Sequence, residues 1–62
     1  MKGKELIKLL EKEGWVLDRI SGSHHIMIKD KRRSIPIPVH KGKDIPKFLV
    51  KTILKQADIK GN

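Results

Sequence analysis

Three histidines are the side chains of this chain best suited to moving a proton. His24 and His25 are adjacent in the run Gly22-Ser23-His24-His25, and His40 closes Pro38-Val39-His40. Imidazole titrates near neutral pH, so it can take a proton from a reacting hydroxyl and return one to a leaving oxygen. Fixed cations beside it can stabilise charge that develops on a phosphate. The sequence supplies them in a pattern: Lys47, Lys51 and Lys55 recur every four residues, Lys41 and Lys43 precede them, and Arg32 and Arg33 form a second basic pair. Ser23 could orient a phosphate or the imidazole, and it also suits an ordinary turn. Metal hydrolysis is the weaker fit. Neighbouring strand residues diverge to opposite faces, no carboxylate lies near His24 and His25 in sequence, and His40 comes from another element. The chain has no cysteine for a thiolate site or a disulfide, and no cofactor is expected.

These groups must be held by a small scaffold. From Lys4 to Glu13, Leu6, Ile7 and Leu10 share one stripe of an amphipathic helix, with Gly14 placed to end it. Trp15 to Ile20 is rich in strand formers, and Ser21-Gly22-Ser23 is a turn signal in which Gly22 supplies backbone freedom. A second strand is expected over His24 to Lys29, followed by a charged hairpin tip at Asp30-Lys31-Arg32-Arg33. Ile35, Ile37 and Val39 then alternate with Pro36, Pro38 and His40. Proline cannot donate to a ladder, so this third strand belongs at a sheet edge. Lys41 to Asp44 reads as a loop, with Asp44 placed to cap a second helix and Pro46 in its first turn. Ile45, Phe48, Leu49, Ile53 and Ala57 are expected to form that helix's buried stripe, and residues 58–62 a short tail. The order α-β-β-β-α predicts an α+β fold, two helices on one face of a three-stranded antiparallel sheet. The other face is left for solvent or a ligand.

Fifteen Lys and Arg against seven Asp and Glu give a formal charge of +8 and a pI near 10.1. Such an excess favours a polyanionic partner: nucleic acid, an anionic membrane surface or an acidic protein. No apolar run approaches a membrane span, and Met1-Lys2-Gly3-Lys4 leads into no signal-peptide core. A soluble cytoplasmic protein with one domain over residues 1–62 is therefore expected. Trp15 and Phe48 are the only aromatics, and both are expected in the core. Shape and phosphate recognition then stay open, whereas reading single strands through stacked bases does not fit.

The ordered set of motifs resembles the HicA family of toxin–antitoxin ribonucleases. The resemblance begins at Lys4-Glu5-Leu6, continues through Gly14-Trp15, and is most specific at Gly22-Ser23-His24-His25. Pro38-Val39-His40 with Lys43-Asp44-Ile45, and then Ile53-Leu54-Lys55-Gln56-Ala57, extend it over nearly the whole chain. Two positions depart from the family pattern: Phe48-Leu49 stands where Gly-Thr is usual, and Ala57-Asp58-Ile59 where Ala-Gly-Ile is usual. The resemblance implies a fold similar to a double-stranded-RNA-binding domain. It also implies cleavage of mRNA and neutralisation by a HicB-type antitoxin protein; the chemistry itself requires no metal, and any contact with DNA is expected only through the antitoxin complex.

Strand parity alone leaves open whether His24 or His25 faces solvent. The resemblance assigns catalysis to the first histidine of the signature, His24, and leaves His25 partly buried, hydrogen-bonded and structural. His40 is better read as satisfying loop backbone than as a second base. Ser23, Arg32, Arg33, Lys41, Lys43, Lys47, Lys51 and Lys55 are the expected RNA contacts. The competing expectation is a non-catalytic module that holds duplex RNA with the same fold. A DNA-binding regulator fits less well, because neither helix offers the Asn, Gln or Arg that read base edges.

Overall fold

In the computed structural model, which describes residues 1–30 and 33–59, the element order is the expected one. It runs α1 (Gly3–Lys12), β1 (Val16–Ser21), β2 (His24–Lys29), β3 (Arg33–Pro38) and α2 (Lys47–Gln56). The three strands form one antiparallel sheet in the order β1-β2-β3, with β2 central. Trp15 precedes β1 rather than beginning it, Arg33 opens β3 rather than lying in the turn, and Val39 and His40 fall beyond β3. Lys31, Arg32 and the expected tail residues Lys60, Gly61 and Asn62 lie outside the described residues.

Register decides which strand residues are buried. Met27 opposes Ile35 and His25 opposes Ile37, so these four share the face that the helices cover. Met27, Ile35 and Ile37 are buried there with Leu6, Leu10, Trp15, Ile45, Ile53 and Ala57. His24, Ile26 and Ile28, with Ser34, Pro36 and Pro38, occupy the other face. Both helices pack chiefly against β3, which leaves the helix side of β1 uncovered. On α1, Leu6 and Leu10 are fully buried while Ile7 and Leu9 border the core, as an amphipathic stripe requires.

A tight turn joins β1 to β2. Ser21 pairs with His24 across Gly22-Ser23, a two-residue hairpin loop opened by Gly22 at φ +59°. A glycine with positive φ at the first loop position matches the right-handed strand twist. Gly3, in the first turn of α1, lies directly on the end of β3. A Cβ there would stand 2.6 Å from the Pro38 carbonyl oxygen and 2.9 Å from Val39 Cγ2.

The helices end by the same device with different residues. After α1, the Trp15 N–H donates to the Leu10 carbonyl and the Gly14 N–H to that of Glu11, with Gly14 at φ +96°. After α2, the Ile59 N–H donates to Leu54 and the Asp58 N–H to Lys55, with Asp58 at φ +59°. Both are Schellman motifs, whose left-handed position suits glycine best. Asp58→Gly should therefore raise stability by up to about 1 kcal/mol, the scale of the left-handed penalty for a residue with a Cβ. Urea midpoints of the two proteins measure this, and an unchanged or lower midpoint for the variant would refute it.

Several expectations about α2 are corrected, among them that Pro46 lies in its first turn and Ile45 on its stripe, since the helix begins only at Lys47. Asp44 does not cap the helix: the residue before its first turn is Pro46, and no side chain bonds to the free N–H groups. Asp44 instead bridges to Lys2, with Lys2 Nζ 3.3 Å from its Oδ1. Phe48 is not in the core either, being 72% exposed. The buried side of α2 is centred on Ile53, with Leu49, Val50 and Leu54 packed at its margins. Phe48 falls on the opposite side, among the lysines.

Candidate active site

His24 is the first residue of the central strand, so it is held from both sides. It pairs with Ser21 across the hairpin and with Pro38 on β3. Just before it, the Ser23 carbonyl accepts a 2.7 Å hydrogen bond from the Val39 N–H. The side chain is exposed on the sheet face that no helix covers, so its position is rigid and its reach open. His25, one residue on, turns to the helix side and is half-buried. Its Nδ1 is buried with no hydrogen-bond partner among the described residues. Parity therefore separates the two histidines as expected, but no hydrogen bond at Nδ1 anchors His25.

The end of the sheet that carries His24 is also where other polar groups gather. His40 and Lys41 follow β3 within three residues of Pro38, the strand neighbour of His24. Both are exposed, and they line a groove with Lys2, Lys4, Val39 and Gly42. Lys2 and Lys4 were not legible as neighbours of this site. They arrive because the first turn of α1 rests on Pro38 and Val39, a contact with no local signature. Lys2 also reaches the Gly42 carbonyl at 3.5 Å as well as Asp44, so part of its charge is engaged within the loop. Ser23 is half-buried and lies in the hairpin loop beside His24.

Other basic residues are placed elsewhere. Arg33 pairs with Lys29 at the far end of β2, roughly 17 Å from His24 by strand rise. Arg32 lies outside the described residues. Lys47, Lys51 and Lys55 are exposed on the outer side of α2, in the helical layer behind the sheet. Lys4, Lys8 and Lys12 form a second exposed stripe at the same four-residue spacing on α1. Thus Ser23, His40 and Lys41 lie close in the chain or sheet to His24, Lys43 follows in the same loop, and the α2 stripe runs on from that loop behind the sheet. Among the described residues no group of three or more His, Asp or Glu side chains is arranged to hold a metal ion.

An open antiparallel sheet backed by two helices, with a solvent-facing histidine at the head of its central strand, defines a small basic α+β protein. Residues 3–59 match the family model described as HicA toxin of bacterial toxin-antitoxin, and the chain belongs to that family. A toxin–antitoxin role follows, and with it a partner of the antitoxin kind. A search of curated proteins returns no match. No helix is long and apolar enough to cross a membrane among the described residues.

Proposed function

We propose that this toxin is a metal-independent endoribonuclease that cleaves mRNA, with His24 as its catalytic residue and a HicB-type antitoxin as its inhibitor. The observation that carries the reading is the exposure of His24 on an otherwise open sheet face, at a position fixed by strands on both sides. RNA brings its own nucleophile. The 2′-hydroxyl attacks the adjacent phosphorus in line and His24 takes its proton; the bond to the 5′-oxygen then breaks, leaving a 2′,3′-cyclic phosphate, and the 5′-oxygen takes a proton back from the His24 imidazolium or from water. Lys41 and Lys43 supply fixed positive charge for the phosphorane, and Ser23 can orient a phosphate oxygen. The chemistry needs only proton transfer and charge stabilisation, both within the reach of these residues. A partner acidic at its contact surface would cover His24 and the basic groove together.

The test is cleavage of RNA by the purified chain in excess chelator, compared with His24→Ala. Cutting by the native chain alone supports the reading, and equal cutting by both removes His24 from it. The lysine stripes behind the sheet favour one alternative, a module that holds duplex RNA on its helical layer without cutting. In that case neither protein cuts and both bind RNA equally.

The loop after His40 carries Lys41 and Lys43 towards α2, so on this reading an RNA strand that passes His24 turns round this end of the sheet to meet Lys47, Lys51 and Lys55 behind it. Such phosphate contacts position RNA rather than read it. Changing Lys47, Lys51 and Lys55 together to Gln should lower the slope of log affinity against log salt by about 2, at about 0.7 per single-strand contact. Titration with an oligonucleotide lacking the reactive 2′-hydroxyl measures it. An unchanged slope would place the RNA path elsewhere.

A further inference from the structure

The two edges of the sheet are not equivalent. β3 carries Pro36 and Pro38, which have no N–H to offer an incoming strand, so its outer edge is closed to continuous pairing. β1 contains no proline and no lysine, and all six of its residues are exposed. Natural sheets usually blunt a free edge with such residues, with charges or with a bulge, because an open one is a template for another strand; β1 has one bulge, and its two charges neutralise each other. Three of the five exposed large apolar side chains among the described residues, Val16, Leu17 and Ile20, lie on this one strand.

The register of β1 gives the edge a particular shape. A bulge at Asp18 lets Leu17 oppose Met27 and Ile20 oppose His25. Residues three apart would otherwise point to opposite faces, but here both point to the helix side. The helices lean on β3 and leave this strip open, with Leu17 at 46% and Ile20 at 58% exposure. Between them sit the only charges of the strand, Asp18 and Arg19, paired with each other at 2.6 Å. A neutral, apolar edge thus interrupts the surface of a chain that carries +8.

We propose that β1 pairs antiparallel with β1 of a second copy of this chain, joining two three-stranded sheets into one of six strands. The sequence Val16-Leu17-Asp18-Arg19-Ile20-Ser21 is complementary to its own reverse. With Leu17 opposite Ile20 of the second copy, Asp18 stands opposite Arg19 of the second copy, and each relation repeats across the two-fold axis. Opposite residues share a face, so the two Leu17–Ile20 pairs make one apolar strip, and each charge meets its opposite. The contact is isologous and consumes the proline-free edge of the sheet formed by the described residues, so assembly closes at the dimer. Both copies of His24 then lie on one continuous open face. The pairing does not depend on the nuclease reading.

Charge gives the dimer an unusual signature. Two chains at +8 repel, and salt screens repulsion over about 10 Å at 0.1 M. Self-association should therefore strengthen as salt is raised, while binding to RNA weakens. Sedimentation equilibrium of the full chain, from about 10 μM to about 1 mM and at low and high salt, reads this over the range of weak affinities. The native mass should rise from one chain to two, more readily at high salt. Ile20→Lys and Asp18→Arg should each remain monomeric throughout, and Asp18→Arg with Arg19→Asp should recover the dimer by restoring opposite charges across the axis. These side chains are exposed, so folding is not at stake, and circular dichroism checks that. A native chain that stays monomeric at the highest concentration and salt would overturn the proposal. So would a dimer indifferent to Ile20→Lys, growth beyond two copies, or an edge that pairs only with a strand of an added antitoxin.

Discussion

Replacing His24 with alanine is expected to lower RNA cleavage by about 10²–10⁴-fold, the usual contribution of a positioned acid–base group. The thermal unfolding midpoint should hardly move. His24 is exposed and makes no hydrogen bond or ion pair through its side chain among the described residues, so its removal leaves no cavity and strands no partner. Its placement depends on backbone pairing with Ser21 and Pro38, which the substitution keeps. On the proposed reading, affinity for a non-cleavable RNA should also be nearly unchanged, because the attraction is assigned there to the cations. Single-turnover cleavage, binding and unfolding measured on the same preparation separate these effects. Loss of cleavage together with loss of binding would make His24 a contact for RNA rather than a proton carrier. Ser23→Ala and Lys41→Gln belong in the same assay as neighbours that retain the imidazole.

The largest effect on stability should come from Trp15→Ala. Trp15 is 1% exposed and sits between the end of α1 and the start of β1, where its N–H also closes the α1 cap onto Leu10. Truncating a buried tryptophan typically costs about 3–5 kcal/mol, through lost burial and the cavity left behind. A chain of this length has a total stability of only roughly 3–9 kcal/mol at ordinary values per residue. The variant should therefore lose at least about a third of its stability, and all of it at the low end of that range, seen as a greatly lowered urea midpoint. Trp15→Phe should be far milder. The buried Nε1 has no acceptor among the described residues, so phenylalanine sacrifices volume but no hydrogen bond. A loss below about 1 kcal/mol for the alanine variant would mean that the core closes over the gap.

The sequence was most informative where periodicity and turn chemistry agree. Leu6 and Leu10 with Gly14 defined α1 and its end, and Ser21 to Ser23 defined the hairpin that presents His24. The prolines at 36 and 38 marked β3 as an edge. Phe48 was misplaced for a specific reason. Ile45 lies in the loop before α2, so its three-residue spacing to Phe48 is not a helical spacing. Once the helix is phased on Ile53, Phe48 lies on the far side at about 100° per residue. Asp44 was read as a cap because its partner, Lys2, is distant in sequence, and no local pattern reports such a pairing. The groove residues Lys2 and Lys4 were missed for the same reason. The choice between His24 and His25 was open to strand parity alone. The alternation of the two faces became visible only when the register with β3 fixed Met27 inside.

One long-range closure bears on when the molecule can first act. The Ile45 N–H donates to the Met1 carbonyl at 2.7 Å, and Lys2 bridges to Asp44, so the first turn of α1 locks against a segment made much later. β3, which flanks the histidine strand, likewise ends only at Pro38. During translation, then, no short nascent chain carries a properly framed His24, because the pieces that hold it have yet to emerge. Domains fold as units, and this one withholds its frame until most of its length has been synthesised. A cell that makes the toxin thus has a built-in delay, during which antitoxin already present can meet each molecule as it completes its fold.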